Sequence, residues 1–248
     1  MSRCGTPTPY RQLAHSPLAP EYLHFTHVLG GHDGSHREDV WTLHWSLQNE
    51  WHLLTGGCDG QVRMWDIRRS ECFHMLDQQQ TGKVVNPTIT SRRKRLQREG
   101  ATQRSGPSMA VGHEGSVTAI LPTMDGRHWL TSGTDSRLRM WDTSDFRNLL
   151  VNYRNTYNRA NKARQMAASV DGHLVFHPSG SVIQVLDMYS GEQHKLLRGH
   201  LDTVNACVFN PVFQELYTGA DDASIVVWSQ ERKSAYEELE GDADSWSD

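Results

Sequence analysis

The chain has 248 residues, enough to bury a substantial core in one or two domains, and its 37% hydrophobic and 22% charged residues are ordinary for a soluble globular protein. A formal net charge of −4 excludes a general nucleic-acid-binding face, which would need a net basic surface, and no apolar run reaches the ~18–20 residues that cross a bilayer. The four cysteines, Cys4, Cys58, Cys72 and Cys207, form no CxxC pair of zinc or redox spacing, so they read as small buried hydrophobes in a reducing, intracellular compartment.

Residues 1–21 are rich in Ser, Thr and Pro, lack the apolar core of a secretory signal and are expected to be disordered. Tyr22–Leu29 reads as an outer strand belonging to a preceding unit that is otherwise absent. A first repeat unit then runs from Ser35 through Leu53-Leu54-Thr55-Gly56-Gly57-Cys58-Asp59-Gly60 to Val62-Arg63-Met64-Trp65-Asp66. Residues 78–108 form a polar insertion, strongly basic at Arg92-Arg93-Lys94-Arg95, with too few apolar residues to pack and hence the reading of a mobile loop. A second unit begins Gly112-His113 and ends Leu138-Arg139-Met140-Trp141-Asp142. A third keeps strand-like segments at Met166–Val170, His173–Phe176 and Ser181–Asp187, but has Leu186 where the others have Trp. The last begins Gly199-His200 and ends Ile225-Val226-Val227-Trp228. Residues 231–248 are acidic and are expected to be disordered, with Trp246 as a short docking anchor.

The internal spacings agree across three units. An Asp lies six residues before each Trp (Asp59/Trp65, Asp135/Trp141, Asp222/Trp228), a Thr four before each Asp (Thr55, Thr131, Thr218), and a His 22 or 23 before it (His36, His113, His200). In the first unit Gly31-His32 is the better dipeptide match, but His36 has the right distance to Val40, and distance determines which strand an imidazole reaches. Alternating segments such as Val117–Leu121 have strand periodicity, and Asp-Gly between them is hairpin chemistry. Each unit therefore predicts a small twisted antiparallel sheet. Within it Asp orients His, His meets the Thr hydroxyl, and Thr reaches the indole N–H, a chain that satisfies every buried polar group.

These residues resemble the WD40 family, whose GH…WD pattern recurs every ~40–45 residues. The resemblance implies an all-β WD40 β-propeller with four recognisable blades, one of them degenerate, spanning residues 22–230. Four blades and an orphan strand lead to the expectation of an incomplete ring; a closed four-bladed ring latched by Tyr22–Leu29 is the competing arrangement. One blade extends WD into Trp65-Asp66-Ile67-Arg68, similar to the motif by which substrate receptors dock onto the damaged-DNA-binding adaptor of cullin-4 ubiquitin ligases, although an ordinary exposed arginine also fits. Longer stretches, Asn148–Tyr153, Tyr189–Gln193, Leu197–His200 and Phe213–Tyr217, are similar to Cockayne syndrome A-type proteins. That likeness implies a non-catalytic substrate receptor in a cullin-4 RING ligase of transcription-coupled nucleotide excision repair. Such a receptor is nuclear and reaches RNA polymerase II indirectly through repair factors, without direct nucleic-acid or membrane contact. Trp65, Asp66 and Arg68 would then be adaptor-binding, and Arg92–Arg95 a nuclear-import signal. A generic WD40 scaffold or an inactive truncated product is the alternative. No HExxH, P-loop or GxSxG occurs, so no catalytic residue, metal or cofactor is expected.

Overall fold

The structure is a computed structural model, and it describes residues 28–29, 35–69, 71–81 and 110–229. The expected disordered segments 1–21 and 231–248, most of Tyr22–Leu29, Cys4, the basic run Arg92–Arg95 and Trp246 lie outside the described residues.

Among those residues the chain is all-β, in four antiparallel sheets that follow one another in sequence. The first is β1 (Val40–Trp45), β2 (His52–Gly57), β3 (Val62–Asp66) and β4 (Glu71–Met75), in that spatial order. The second is β5 (Val117–Pro122), β6 (His128–Gly133) and β7 (Arg137–Asp142). The third is β8 (Ala167–Ala168), β9 (Leu174–Ser179), β10 (Val182–Asp187) and β11 (Gln193–Arg198). The fourth is β12 (Val204–Asn210), β13 (Glu215–Ala220) and β14 (Ile225–Trp228). Sequence-adjacent strands pair throughout, as short hairpin turns require. A register shift recurs near the start of the first strand in three sheets, at Val40/Thr42, Val117/Ala119 and Val204/Ala206. It re-aims the strand after its first residue.

Each sheet is half a core, and its neighbour supplies the other half. Leu54, Val62 and Met64 of the first sheet pack on Val117, Ile120, Trp129 and Trp141 of the second. The second sheet's other face, Ala119, Leu130, Leu138 and Met140, packs on Val175 and Leu186 of the third. The third sheet's far face, Phe176, Ile183 and Val185, packs on Val204, Cys207 and Leu216 of the fourth. Leu186, which replaces the expected Trp, is fully buried in the middle cluster, so the degenerate unit keeps its packing role.

The insertion begins on the sheets rather than away from them. Gln78 N–H donates to the Val111 carbonyl at 2.9 Å, Gln78 Oε1 accepts from Arg139 Nη2 at 2.6 Å, and Asn148 N–H donates to the Gln80 carbonyl at 2.7 Å. Gly60 closes the β2–β3 turn at φ 72°, and its carbonyl accepts from both Gly112 and His113 N–H at 3.0 Å. That contact ties the first sheet's turn to the chain entering the second.

Close approach between sheets sets residue size. A Cβ at Gly56 would lie 2.6 Å from Val117 Cγ1 and 2.9 Å from its Cβ. Gly56→Ala is therefore expected to lower stability by about 1–3 kcal/mol through overpacking. Denaturant unfolding of the variant against the native chain checks this, and an unchanged midpoint would contradict the packing described.

Candidate functional site

Two groups of side chains stand out: the polar chain inside three sheets, and the exposed end of the first sheet. In the first sheet His36 Nδ1 lies 3.0 Å from Asp59 Oδ1 and His36 Nε2 lies 2.7 Å from Thr55 Oγ1. Trp65 Nε1–H donates to that same hydroxyl at 2.8 Å. The second sheet repeats this with His113–Asp135 at 3.0 Å, His113–Thr131 at 2.7 Å and Trp141–Thr131 at 2.9 Å. In the fourth, His200 lies 3.3 Å from Asp222, 3.0 Å from Ser224 Oγ and 2.8 Å from Thr218, and Trp228 donates to Thr218 at 2.9 Å. His36, not His32, occupies the repeat position; His32 lies outside the described residues.

Proton directions follow from what each group can do. An indole N–H only donates, so the Thr oxygen accepts it and gives its own hydrogen to His Nε2. The ring's proton must then sit on Nδ1, facing Asp. Burial lowers the His113 pKa, which keeps the ring neutral as this arrangement needs. Burial alone would raise Asp135, but hydrogen bonds from His113 and Arg139 outweigh it and hold the carboxyl well below its usual range. The Asp also anchors the strand entry: Arg37, Glu114 and Leu201 N–H each donate to the Asp of their own sheet. These groups are structural partners of one another.

The third sheet departs from this scheme. At the Thr position stands His177, buried and 3.1 Å from Ser132 Oγ of the second sheet, and burial lowers its pKa to about 4. The structure makes His177 a neutral link between the second and third sheets.

The end of β3 carries Asp66, Ile67 and Arg68. Arg68 donates from Nε to Asp66 Oδ1 at 2.9 Å and from Nη2 to Oδ2 at 2.7 Å, a two-point fork, and its guanidinium lies 5.3 Å from the Trp51 ring centroid. The Arg68 side chain remains 52% exposed, and the Asp66 pair uses two of a guanidinium's five donors. The hydrogen bond from Arg68 lowers Asp66 to about 2. At the matching sites, Asp142 accepts from Ser144 N–H and Oγ, and Asp187 from Tyr189 and Ser190 N–H. Only in the first sheet does this Asp hold an arginine in place. The sequence indicated an outward-pointing fork; the structure shows that fork aligned by its own Asp before any partner is present.

Sequence reading missed the surface beside it. The turns joining first and second strands each carry an exposed apolar residue just after a polar one: Leu47 after Ser46, Met124 after Thr123 and Val170 after Ser169. The fourth such turn exposes Val212 and Phe213. Neighbouring turns touch, since a Cβ at Gly126 would meet Leu47 and one at Gly172 would meet Met124. With Trp51 and Tyr189, this makes an apolar row along the end of the sheets that bears Arg68. The polar–apolar pairing within each turn was the available signal. Among the described residues no group of His, Cys, Asp or Glu converges as metal ligands would.

The WD domain, G-beta repeat family matches at residues 23–66, 106–142 and 191–229. The WD repeat-containing protein ATCSA-1 of Arabidopsis thaliana is 36% identical over 273 aligned positions, covering 90% of this chain and 60% of that protein. Protein HIR1 of Candida albicans is 26% identical over 197 positions, covering 73% of this chain and 21% of that protein. The chain thus spans 60% of the length of the first relative and 21% of the second. The computationally designed Ika4 protein superposes with a TM-score of 0.54 at 19% identity, over 83% of this chain and 99% of that one, a likeness of fold alone.

Two measurements check the site. Thr131→Val is expected to orphan the Trp141 N–H and His113 Nε2, at about 1–3 kcal/mol for each, whereas Thr131→Ser keeps the bridge and most of the stability. The Asp66 carboxyl, held below its ordinary 3.8, should titrate near pH 2 by NMR and move back towards 3.8 in Arg68→Ala. Because its pKa is depressed in the folded state, its contribution to stability is present above about pH 4 and lost as pH falls through 2.

Proposed function

We propose that this WD40-repeat protein is a non-catalytic substrate-receptor or scaffold subunit of a cullin-4 RING ubiquitin ligase, acting in transcription-coupled nucleotide excision repair. The observation that carries the reading is the end of β3, where Trp65-Asp66-Ile67-Arg68 presents an arginine already aligned by Asp66 and Trp51. Arginine suits this role because its planar, permanently charged fork pairs with carboxylates or carbonyls, and pre-alignment removes part of the entropy lost on docking. Leu47 and Trp51 are exposed apolar residues at the same end of the sheet, and arginine with aromatic neighbours is the usual composition of an interface. The likeness to ATCSA-1 over 90% of this chain supports the same reading, as do the stretches similar to Cockayne syndrome A-type proteins.

In this reading the damaged-DNA-binding adaptor of cullin-4 ligases docks at Arg68, with Trp65 and Asp66 building the strand end. Repair factors, and RNA polymerase II through them, use other surfaces. The protein works in the nucleus, and Arg92-Arg93-Lys94-Arg95 serves import. The net charge of −4 favours protein partners over direct nucleic-acid contact.

Co-purification with the adaptor tests it. The native chain is expected to capture the adaptor, and Arg68→Ala to weaken capture at least about tenfold, or ~1.4 kcal/mol. Arg68→Lys should fall nearly as far, because an ammonium cannot form the fork. Failure of the native chain to bind would remove the receptor reading, and equal binding by native chain and Arg68→Ala would remove the role of Arg68.

A further inference from the structure

On its way from β7 to β8 the chain crosses three sheets as a strap. From Arg154 to Gln165 it forms no helix or strand, and within that stretch only Asn158 and Ala160 are buried. The strap carries Arg154, Arg159, Lys162 and Arg164 and no acidic residue, in a chain whose net charge is −4.

Hydrogen bonds fix the strap where apolar packing does not. Asn158 Nδ2 donates to Thr118 Oγ1 at 2.8 Å and to Ser132 Oγ at 3.0 Å, and its N–H donates to Ser136 Oγ at 3.1 Å. Thr156 Oγ1 donates to the Ser136 carbonyl at 2.6 Å, and Tyr157 N–H to Ser179 Oγ at 3.1 Å. Further on, Arg164 N–H donates to the Thr118 carbonyl at 3.0 Å and Gln165 N–H to the Asn205 carbonyl at 2.8 Å. The strap is therefore pinned to the second, third and fourth sheets. It runs over the turns that join their second and third strands. Ser136 lies in the β6–β7 turn, and Asp221, 2.7 Å from Lys162 Nζ, lies in the β13–β14 turn. Gly180, where a Cβ would rest 3.7 Å from the Tyr157 ring, lies in the β9–β10 turn. Successive turns of an antiparallel sheet alternate ends, so the strap lies at the end opposite Arg68 and the apolar row.

The four cations fall into two pairs. Lys162 is matched by Asp221, and Arg164, partly buried, donates from Nη1 to the Val204 carbonyl at 3.0 Å. Arg154 and Arg159 are exposed, and among the described residues neither guanidinium has a hydrogen bond or ion pair. Between them in sequence stands Tyr157, 51% exposed. We propose that Arg154, Tyr157 and Arg159 form a docking surface for an acidic segment of a partner protein, whose carboxylates pair with the two guanidiniums and whose chain lies over the tyrosine ring. The planar fork of arginine matches a carboxylate at two points, and a backbone already pinned loses little freedom on docking. Arg and Tyr are also the side chains that most often anchor protein interfaces. A nucleic acid fits less well, because two free cations neutralise few phosphates and the chain around them is net acidic. The surface is independent of the ligase reading, since it lies at the other end of the sheets from Arg68.

Fluorescence anisotropy on the full chain tests it, with a short labelled peptide of alternating Glu and Gly as the probe. The native protein should bind the peptide, and more weakly as salt is raised. Arg154→Gln combined with Arg159→Gln should cut binding at least about fivefold, through the loss of two charge-assisted contacts. Circular dichroism should show this double variant folded, because neither guanidinium bonds the rest of the described chain. Arg68→Ala should leave peptide binding unchanged, as should replacing Arg92, Arg93, Lys94 and Arg95 with Ala. An oligothymidylate of the same net charge should bind more weakly than the peptide. A native chain that does not bind, or a folded double variant that binds as well, would overturn the surface. So would binding that depends on Arg92–Arg95 instead, tighter binding of the oligothymidylate, or binding that appears only once residues 231–248 are removed.

Discussion

One threonine hydroxyl holds each regular sheet together. In the second sheet Thr131 accepts the Trp141 N–H and passes its own hydrogen to His113, which fixes the imidazole proton towards Asp135. The Trp sits on the third strand, the Thr on the second, and the His and Asp in the segments entering and turning the sheet. Four pieces of chain are thus referred to one oxygen atom. A buried indole and imidazole would each cost free energy without a partner, so the network selects one register among those the apolar pattern allows. The strand ends, and what they present, depend on that register.

From the register follows the packing. Once Thr131 is placed, Leu130, Leu138 and Met140 point to one neighbour and Trp129 and Trp141 to the other. Where the relay is missing, in the third sheet, packing and a lateral hydrogen bond between Ser132 and His177 take its place. That exchange shows the relay is one means of fixing a register rather than a requirement of the fold. It also explains how Leu186 substitutes for a tryptophan: without a Thr hydroxyl to meet, an indole N–H there would have no acceptor.

The periodic features were legible in the sequence because they are local or recur. The Asp–Trp and Thr–Asp spacings located the second and third strands of three sheets, and the distance from His36 to Val40 chose it over His32. Features joining one unit to the next were hidden. His177 reads as a strand histidine until Ser132 of another sheet is set beside it. Arg68 reads as an outward fork, since nothing in WDxR says that Asp66 and Trp51 will hold it. The apolar row of Leu47, Met124 and Val170 is spread over three turns and becomes a surface only when the sheets stand side by side. The anchoring of Gln78 and Gln80 on the second sheet was invisible for the same reason, as their partners Arg139, Asn148 and Val111 lie far along the chain.

That anchoring has a consequence for how the molecule tolerates change. The Gln78–Val111 hydrogen bond brings the two sides of the inserted stretch together at a neck on the sheets. Closing a flexible loop costs only ~0.6 kcal/mol for each doubling of its length. The neck is therefore a natural grafting point, where segments of very different size could be exchanged, by evolution or by design, while Arg139 and the polar chain behind it hold the sheets unchanged.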